Sequence, residues 1–233
     1  MQIKPLASGS TGNCYLIDDG QTKILLEAGI SWKRIQKALD FKTHDLAGVI
    51  ASHGHGDHLG HAKEAMKAGI DVYCGQQAAD MQHLEGHRLD IIKAGEQFKI
   101  GTWTILVFDA VHDVETFGYV LGTEDGERLL YLTDTGYSLH RFQGLTHIMV
   151  ECNHLEEKLS ENILNGSIPA VAGRRTRRNH MSLERVITML KSNDLSHCRQ
   201  IHLLHLSNGN SDEKRMIQEV QKATGIPTYA CAE

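Results

Sequence analysis

The sequence predicts an α/β fold in which two mixed β-sheets pack face to face, with helices on the outside. Three observations carry this. Short apolar runs alternate with amphipathic stretches along the whole chain. Some neighbouring strand candidates are joined by hairpin-like turns and others by helices, so both antiparallel and parallel pairing are expected. No repeat and no Pro/Gly-rich linker interrupts the 233 residues, which suit a single domain over 1–233 with a sizeable core.

The elements follow in order. Strands are predicted at 14–18 (CYLID), 23–27 (KILLE), 48–52 (GVIAS), 72–74 (VYC), 102–110 (TWTILVFDA), 117–122 (FGYVLG), 128–133 (RLLYLT), 147–151 (HIMVE) and 201–205 (IHLLH), each a short apolar run. TEDGER, at 123–128, has the composition of a hairpin turn. Helices are predicted at 31–39, 60–68, 182–191 and 212–224, with Ser31, Ser182 and Ser211 as N-caps.

Composition narrows the function. The net charge is −5 with histidine neutral, which is not the balance of a dedicated nucleic-acid binder. Five scattered cysteines, an odd number with no CxxC pair, argue against a disulfide framework. No apolar run reaches membrane-spanning length and no signal-peptide core opens the chain, so a cytoplasmic protein without membrane contact is expected. Fifteen histidines are the unusual feature.

Four of those histidines crowd into IASHGHGDHLGH, at 50–61. A buried strand ends there and the chain enters a loop carrying His53, His55, Asp57 and His58. His53 and His55 are two residues apart and point to one side in extended backbone. Unpaired, such a cluster repels itself on protonation; a cation removes that cost. Imidazole and carboxylate together suit zinc, and the number of ligands in one segment suggests two adjacent ions. His112, Asp134 and His205 each follow an apolar strand and extend the set.

With those residues in place, the sequence resembles the metallo-β-lactamase superfamily. Its loop matches the HxHxDH signature as His53, His55, Asp57 and His58, followed in order by His112, Asp134 and His205. A narrower resemblance is to the YycJ/WalJ-type proteins, which include putative single-strand DNA exonucleases. It rests on SGSTGN (8–13), His112–Asp113, ECNHLEEKL (151–159), NHMS (179–182) and HLSNGNS (205–211). Two departures stand out: Glu27 where an aspartate is common, and Asn179 where a glycine is usual. They bear on the substrate rather than on the metal centre.

The resemblance implies a four-layer αββα sandwich with a dinuclear site of zinc or manganese, or iron. One ion would take His53, His55 and His112, the other Asp57, His58 and His205, with Asp134 bridging. His180 is the competing last ligand; the resemblance favours His205 and gives His180, with Asp57 and Asp134, a catalytic part. Paired ions lower the pKa of a shared water and supply a hydroxide near neutral pH. The stretch between Asp134 and His205 is too short for the second domain of the β-CASP nucleases.

The substrate clue is AGRRTRRNHMS, at 172–182. Arg174, Arg175, Arg177 and Arg178 form a dense cationic run beside His180, and guanidinium forks suit phosphate oxygens. A solvated basic loop is the plainer alternative. Ser8, Ser10 and Asn13 of SGSTGN are the other candidate substrate contacts, and no Walker lysine follows them. The expected activity is a phosphodiesterase on single-stranded DNA, working as an exonuclease. The alternatives are a small-molecule hydrolase (a cyclic-nucleotide or phosphonate diesterase, a thioesterase or a lactonase) and a non-hydrolytic metal-binding protein. The sequence leaves the oligomeric state open, a homodimer included.

Overall fold

The computed structural model describes residues 1–231. The fold is α/β with its strands in two mixed β-sheets. Among the described residues the chain forms two compact units, one of Met1–Asp109 and Val114–Glu127, the other of Ala110–Asp113 and residues 128–231.

The first unit contains a six-stranded sheet of β1 (Gln2–Ala7), β2 (Cys14–Asp18), β3 (Lys23–Leu26), β4 (Leu46–Ile50), β5 (Val72–Cys74) and β6 (Leu89–Ile91), in that spatial order. β1 to β3 pair antiparallel through short loops, and β3 to β6 pair parallel through helical crossovers. The crossovers are α1 (Trp32–Ala38), α2 (Gly56–Leu59), α3 (Ala62–Lys67) and α4 (Gln76–Met81). Leu25, Val49, Val72, Ile35, Leu59 and Ala65 form the core of this unit. Its remaining strands are β7 (Gln97–Ile100), β8 (Trp103–Ala110) and β9 (Thr116–Gly122), with β7 and β8 antiparallel.

The second unit is built on β10 (Arg128–Leu132), β11 (His147–Glu151), β12 (Gln200–Leu204) and β13 (Thr228–Ala230), all parallel. Every residue of β11 is buried, as befits an inner parallel strand covered on both faces. Its helices are α5 (Glu156–Leu164), α6 (Ala170–Asn179), α7 (Leu183–Lys191) and α8 (Glu213–Thr224). α5 packs on α6, and α7 on α8.

The nine predicted strands are present, with ends shifted by two residues at most. Four helix details are corrected. The helix expected at 60–68 is two pieces, and the first begins at Gly56, so Asp57 and His58 lie on a helical turn rather than in the loop. Asp212, not Ser211, caps α8, because its carboxylate accepts from Arg215 N–H at 3.1 Å. Ser31 makes no side-chain cap bond, whereas Ser182 accepts from Arg185 N–H. The arginine run forms helix α6 rather than a loop.

Gly29 joins two of the loops that matter below. A Cβ placed on it would fall 1.7 Å from the Asp57 carbonyl oxygen, a backbone atom with no rotamer to escape by. Gly29→Ala is therefore expected to cost at least about 3 kcal/mol of stability, checked by denaturant unfolding.

Candidate metal centre

In the first unit, β3 and β4 end side by side and deliver Glu27 and His53 to the same edge. His53 is fully buried. Its Nδ1 lies 2.9 Å from the Ser52 hydroxyl, and its Nε2 lies 2.9 Å from His55 Nδ1. Two imidazole nitrogens facing each other at that distance must share a proton or share a cation. Ligands of one tetrahedral zinc, about 2.0–2.1 Å from the ion, sit at nearly this separation.

His58 is also fully buried, and its ring centroid is 4.1 Å from that of His53. Its Nδ1 lies 3.5 Å from the buried Glu27 carboxylate, which also accepts from Ser52 N–H at 3.1 Å. A carboxylate on one ring nitrogen fixes the tautomer and leaves the other nitrogen for a ligand's role. Glu27 has a left-handed backbone, φ 66°, a conformation a non-glycine residue holds only when its surroundings demand it.

SGSTGN is the splint for this loop. Asn13 N–H donates to Asp57 O at 2.8 Å, and Gly29 N–H donates to Asn13 O at 2.9 Å. The Asn13 side chain accepts from Gly9 N–H and from the Tyr15 hydroxyl, and its Nδ2 donates toward Gly9 O and His58 Nε2. Ser8 is buried against the Tyr15 hydroxyl. Of the three residues taken as substrate contacts, only Ser10 is exposed. Asn13→Ala is expected to cost about 1–3 kcal/mol of stability through the groups it strands. It should also lower metal affinity about 10–100-fold through the freed His58. Denaturation and metal titration measure the two effects separately.

In the second unit, parallel strands again bring their C-terminal ends together. Asp134 follows β10, Glu151 ends β11, and His205 follows β12. With His180, at the end of α6, they each offer a donor atom, all within 4.8 Å of one another. Asp134 (φ 42°) and His205 (φ 52°) both have left-handed backbone. Two strained residues at the ends of β10 and β12, on either side of β11, mark a place where side-chain direction matters more than backbone comfort. His205 Nδ1 lies 3.0 Å from Asp134 Oδ1 and 3.2 Å from Glu151 Oε1.

Glu151 is the residue that the sequence reading missed. It is fully buried, accepts from the N–H groups of Thr135 and Met181, and lies 2.5 Å from His180 Nδ1. The available signal was a lone carboxylate closing an otherwise apolar strand, HIMVE. His180 is turned by this contact, and its ring lies 5.5 Å from those of both His112 and His205.

His112 Nδ1 donates to the Asn179 carbonyl at 3.2 Å, which directs Nε2 toward Asp113 and Asp134, 3.1 and 3.8 Å away. Burial is the largest influence on His112 and holds its pKa below the usual value against those carboxylates, so the ring is neutral, the form that binds a metal. At His205 burial opposes charge, yet Asp134 and Glu151 win and raise the pKa well above the ordinary histidine value. His180 is raised in the same way, burial being outweighed by Glu151. Two buried carboxylates thus draw positive charge into this cluster. The donors and their electrostatics fit a divalent cation.

The arginines divide. Arg177 bonds Glu156 at 2.6 Å and the Ser160 hydroxyl, and Arg175 pairs with Asp113 at 2.7 Å. Arg178 Nε reaches Asn179 Oδ1 at 3.3 Å, and Arg174 is exposed. The run is a helix staple on one face and a cationic surface on the other.

Comparison with known proteins agrees with this geometry. The family described as "Beta-lactamase superfamily domain" matches residues 22–203. Exodeoxyribonuclease WalJ of Streptococcus pneumoniae is 30% identical over 164 residues, 64% of this chain and 61% of that protein. The match therefore spans less than two thirds of the streptococcal relative. Exodeoxyribonuclease YycJ of Bacillus anthracis is 28% identical over 226 residues, 91% of this chain and 84% of that one. The metallo-beta-lactamase fold protein YhfI of Bacillus subtilis shares the fold, with a TM-score of 0.73 at 14% identity over 98% of this chain and 95% of that one. Strand order, donor-bearing strand ends and family match converge: this chain has the metallo-β-lactamase fold and belongs to the β-lactamase superfamily.

Proposed function

We propose that the chain is a metal-dependent phosphodiesterase that degrades single-stranded DNA as an exonuclease, and that it works in the cytoplasm. The observation that carries the hydrolytic reading is the donor cluster of Asp134, Glu151, His180 and His205, whose donor atoms lie within 4.8 Å of one another, with Asp134 and His205 on strained backbone. The names of the streptococcal and bacillar relatives support DNA as substrate. By the family resemblance, divalent ions, two of zinc or manganese, would be held by His53, His55, Asp57, His58, His112, Asp134 and His205. When bound, such ions supply Lewis acidity and a water of lowered pKa.

The chain's own residues do the rest. Asp134 and Asp57 would contribute the negative charge that holds such ions. Glu151 holds His180 through Nδ1, so that Nε2 donates the proton to the leaving oxygen of the sugar. Arg174 and Arg178 attract the phosphate backbone, with Arg175 joining when it exchanges Asp113 for phosphate. The pairing of Arg175 and Arg177 with carboxylates is also the observation favouring the second reading, a small phosphodiester substrate.

One panel tests both. Protein reconstituted with zinc or manganese is assayed on end-labelled single- and double-stranded DNA, RNA, a cyclic nucleotide and a thioester, with bound metal measured alongside. Stepwise shortening of single-stranded DNA with close to two metal equivalents is the expected result. Turnover confined to the cyclic nucleotide or thioester would replace the nuclease reading, and full activity at one equivalent would remove the second ion.

A further inference from the structure

The second unit has a cavity of about 560 Å³ outside the metal-ligand cluster, lined by Tyr137, Arg141, Met181, Arg185, Thr188 and Met189 among others. Its size falls within the roughly 300–1,000 Å³ of small-ligand sites. The chain ties it to the chemistry at two points. Met181 directly follows His180, and Tyr137 comes three residues after Asp134, at most about 10–11 Å of extended backbone.

The walls are fixed rather than mobile. Arg185 Nη1 donates to Gly136 O at 2.9 Å and to Arg177 O at 2.6 Å, clamping the start of the 136–142 loop. At the other end, Phe142 N–H donates to Asn193 Oδ1 at 2.7 Å. Between these anchors Tyr137 keeps 47% of its surface exposed, unusual for a large ring on a pinned loop. Met181 and Met189 are buried and provide a soft apolar floor. Arg141 and Arg185 are exposed and, against the carboxylate of Glu184 on the same lining, leave it positively charged. An exposed aromatic face, an apolar floor and guanidinium groups form the set that binds a base with its phosphate.

We propose that this cavity is a nucleotide subsite, holding one nucleotide of the strand next to the bond being cut. Tyr137 stacks on the base, the methionines take its other edge, and Arg141 and Arg185 face the phosphate. This rests on the nuclease reading above for the strand, but the nucleotide chemistry of the cavity stands apart from it.

The test uses the metal-loaded full chain and three variants: Tyr137→Ala, Tyr137→Phe and Thr188→Trp, which fills the cavity from an exposed helix position. KM is measured on a short single-stranded DNA and, for comparison, on bis(p-nitrophenyl) phosphate; binding of free thymidine monophosphate is followed by titration. The expected result is a KM for DNA about tenfold higher in Tyr137→Ala and Thr188→Trp, near wild type in Tyr137→Phe, with a loss at least fivefold greater than on the small diester. If wild type degrades DNA and the three variants match it, the subsite is overturned while the nuclease reading stands. If wild type leaves DNA intact, the nuclease reading falls and the mononucleotide decides. Thymidine monophosphate bound by wild type and lost in Thr188→Trp upholds the subsite; no binding overturns it.

Discussion

Asp134→Ala is expected to lose more than about 100-fold in turnover while the protein still unfolds cooperatively. The carboxylate contacts His205 at 3.0 Å, accepts from the Thr133 hydroxyl and faces His112. Its removal takes charge from the place where we put both ions, an effect larger than the 10–100-fold typical of residues that only support a ligand. Alanine at φ 42° is also strained, so the loss mixes chemistry with backbone. Asp134→Asn separates them, because asparagine tolerates the left-handed region and matches aspartate in shape. The Asp134→Asn chain should keep the wild-type melting temperature within a few degrees and still lose metal and activity. Metal analysis beside a thermal scan is the check; near-normal turnover of a folded Asp134→Asn chain would remove Asp134 from the centre.

Glu151 should show the second largest effect, divided differently. It is buried and serves His180, His205 and two backbone N–H groups at once. Glu151→Ala strands all of them, so a stability loss of about 3–5 kcal/mol is expected with the loss of activity. Glu151→Gln keeps the volume and one acceptor oxygen. It should fold well yet turn over about 10–100-fold more slowly, since the His180 tautomer is no longer fixed by a charge. Urea unfolding and single-turnover kinetics of the two variants distinguish support of the fold from support of the histidine. Equal kinetics for Glu151→Gln and wild type would leave Glu151 a purely structural residue.

What was legible in the sequence follows from burial. Inner strands such as HIMVE and IHLLH are covered on both faces and read as apolar runs. The strands missed were β1, β6, β7 and β13, which lie at the ends of their runs of strands. Edge strands are kept short or polar to discourage pairing with other chains, and β1 even carries Pro5 at a register shift. These same devices erase the alternation by which a strand is recognised. α5 and α6 were missed for another reason. Their helicity is supported by the packing of one on the other and by the Arg177–Glu156 contact, neither visible as hydrophobic period. The residues of HxHxDH were legible because the signature restricts residue type and spacing together. Glu151 was not, since its partners come from His180 and His205, far away in sequence.

The left-handed residues Glu27, Asp134 and His205 have a consequence for how this chain could be engineered. Each costs about 1–3 kcal/mol of backbone strain that glycine would relieve. A library sorted only for heat resistance would therefore weigh strain relief by glycine at 27, 134 and 205 against the buried hydrogen bonds these side chains make, and any glycine winner would have discarded a side chain of the candidate centre. Thermostabilisation of this chain must hold those three positions constant and look for its gains at surfaces and loops elsewhere.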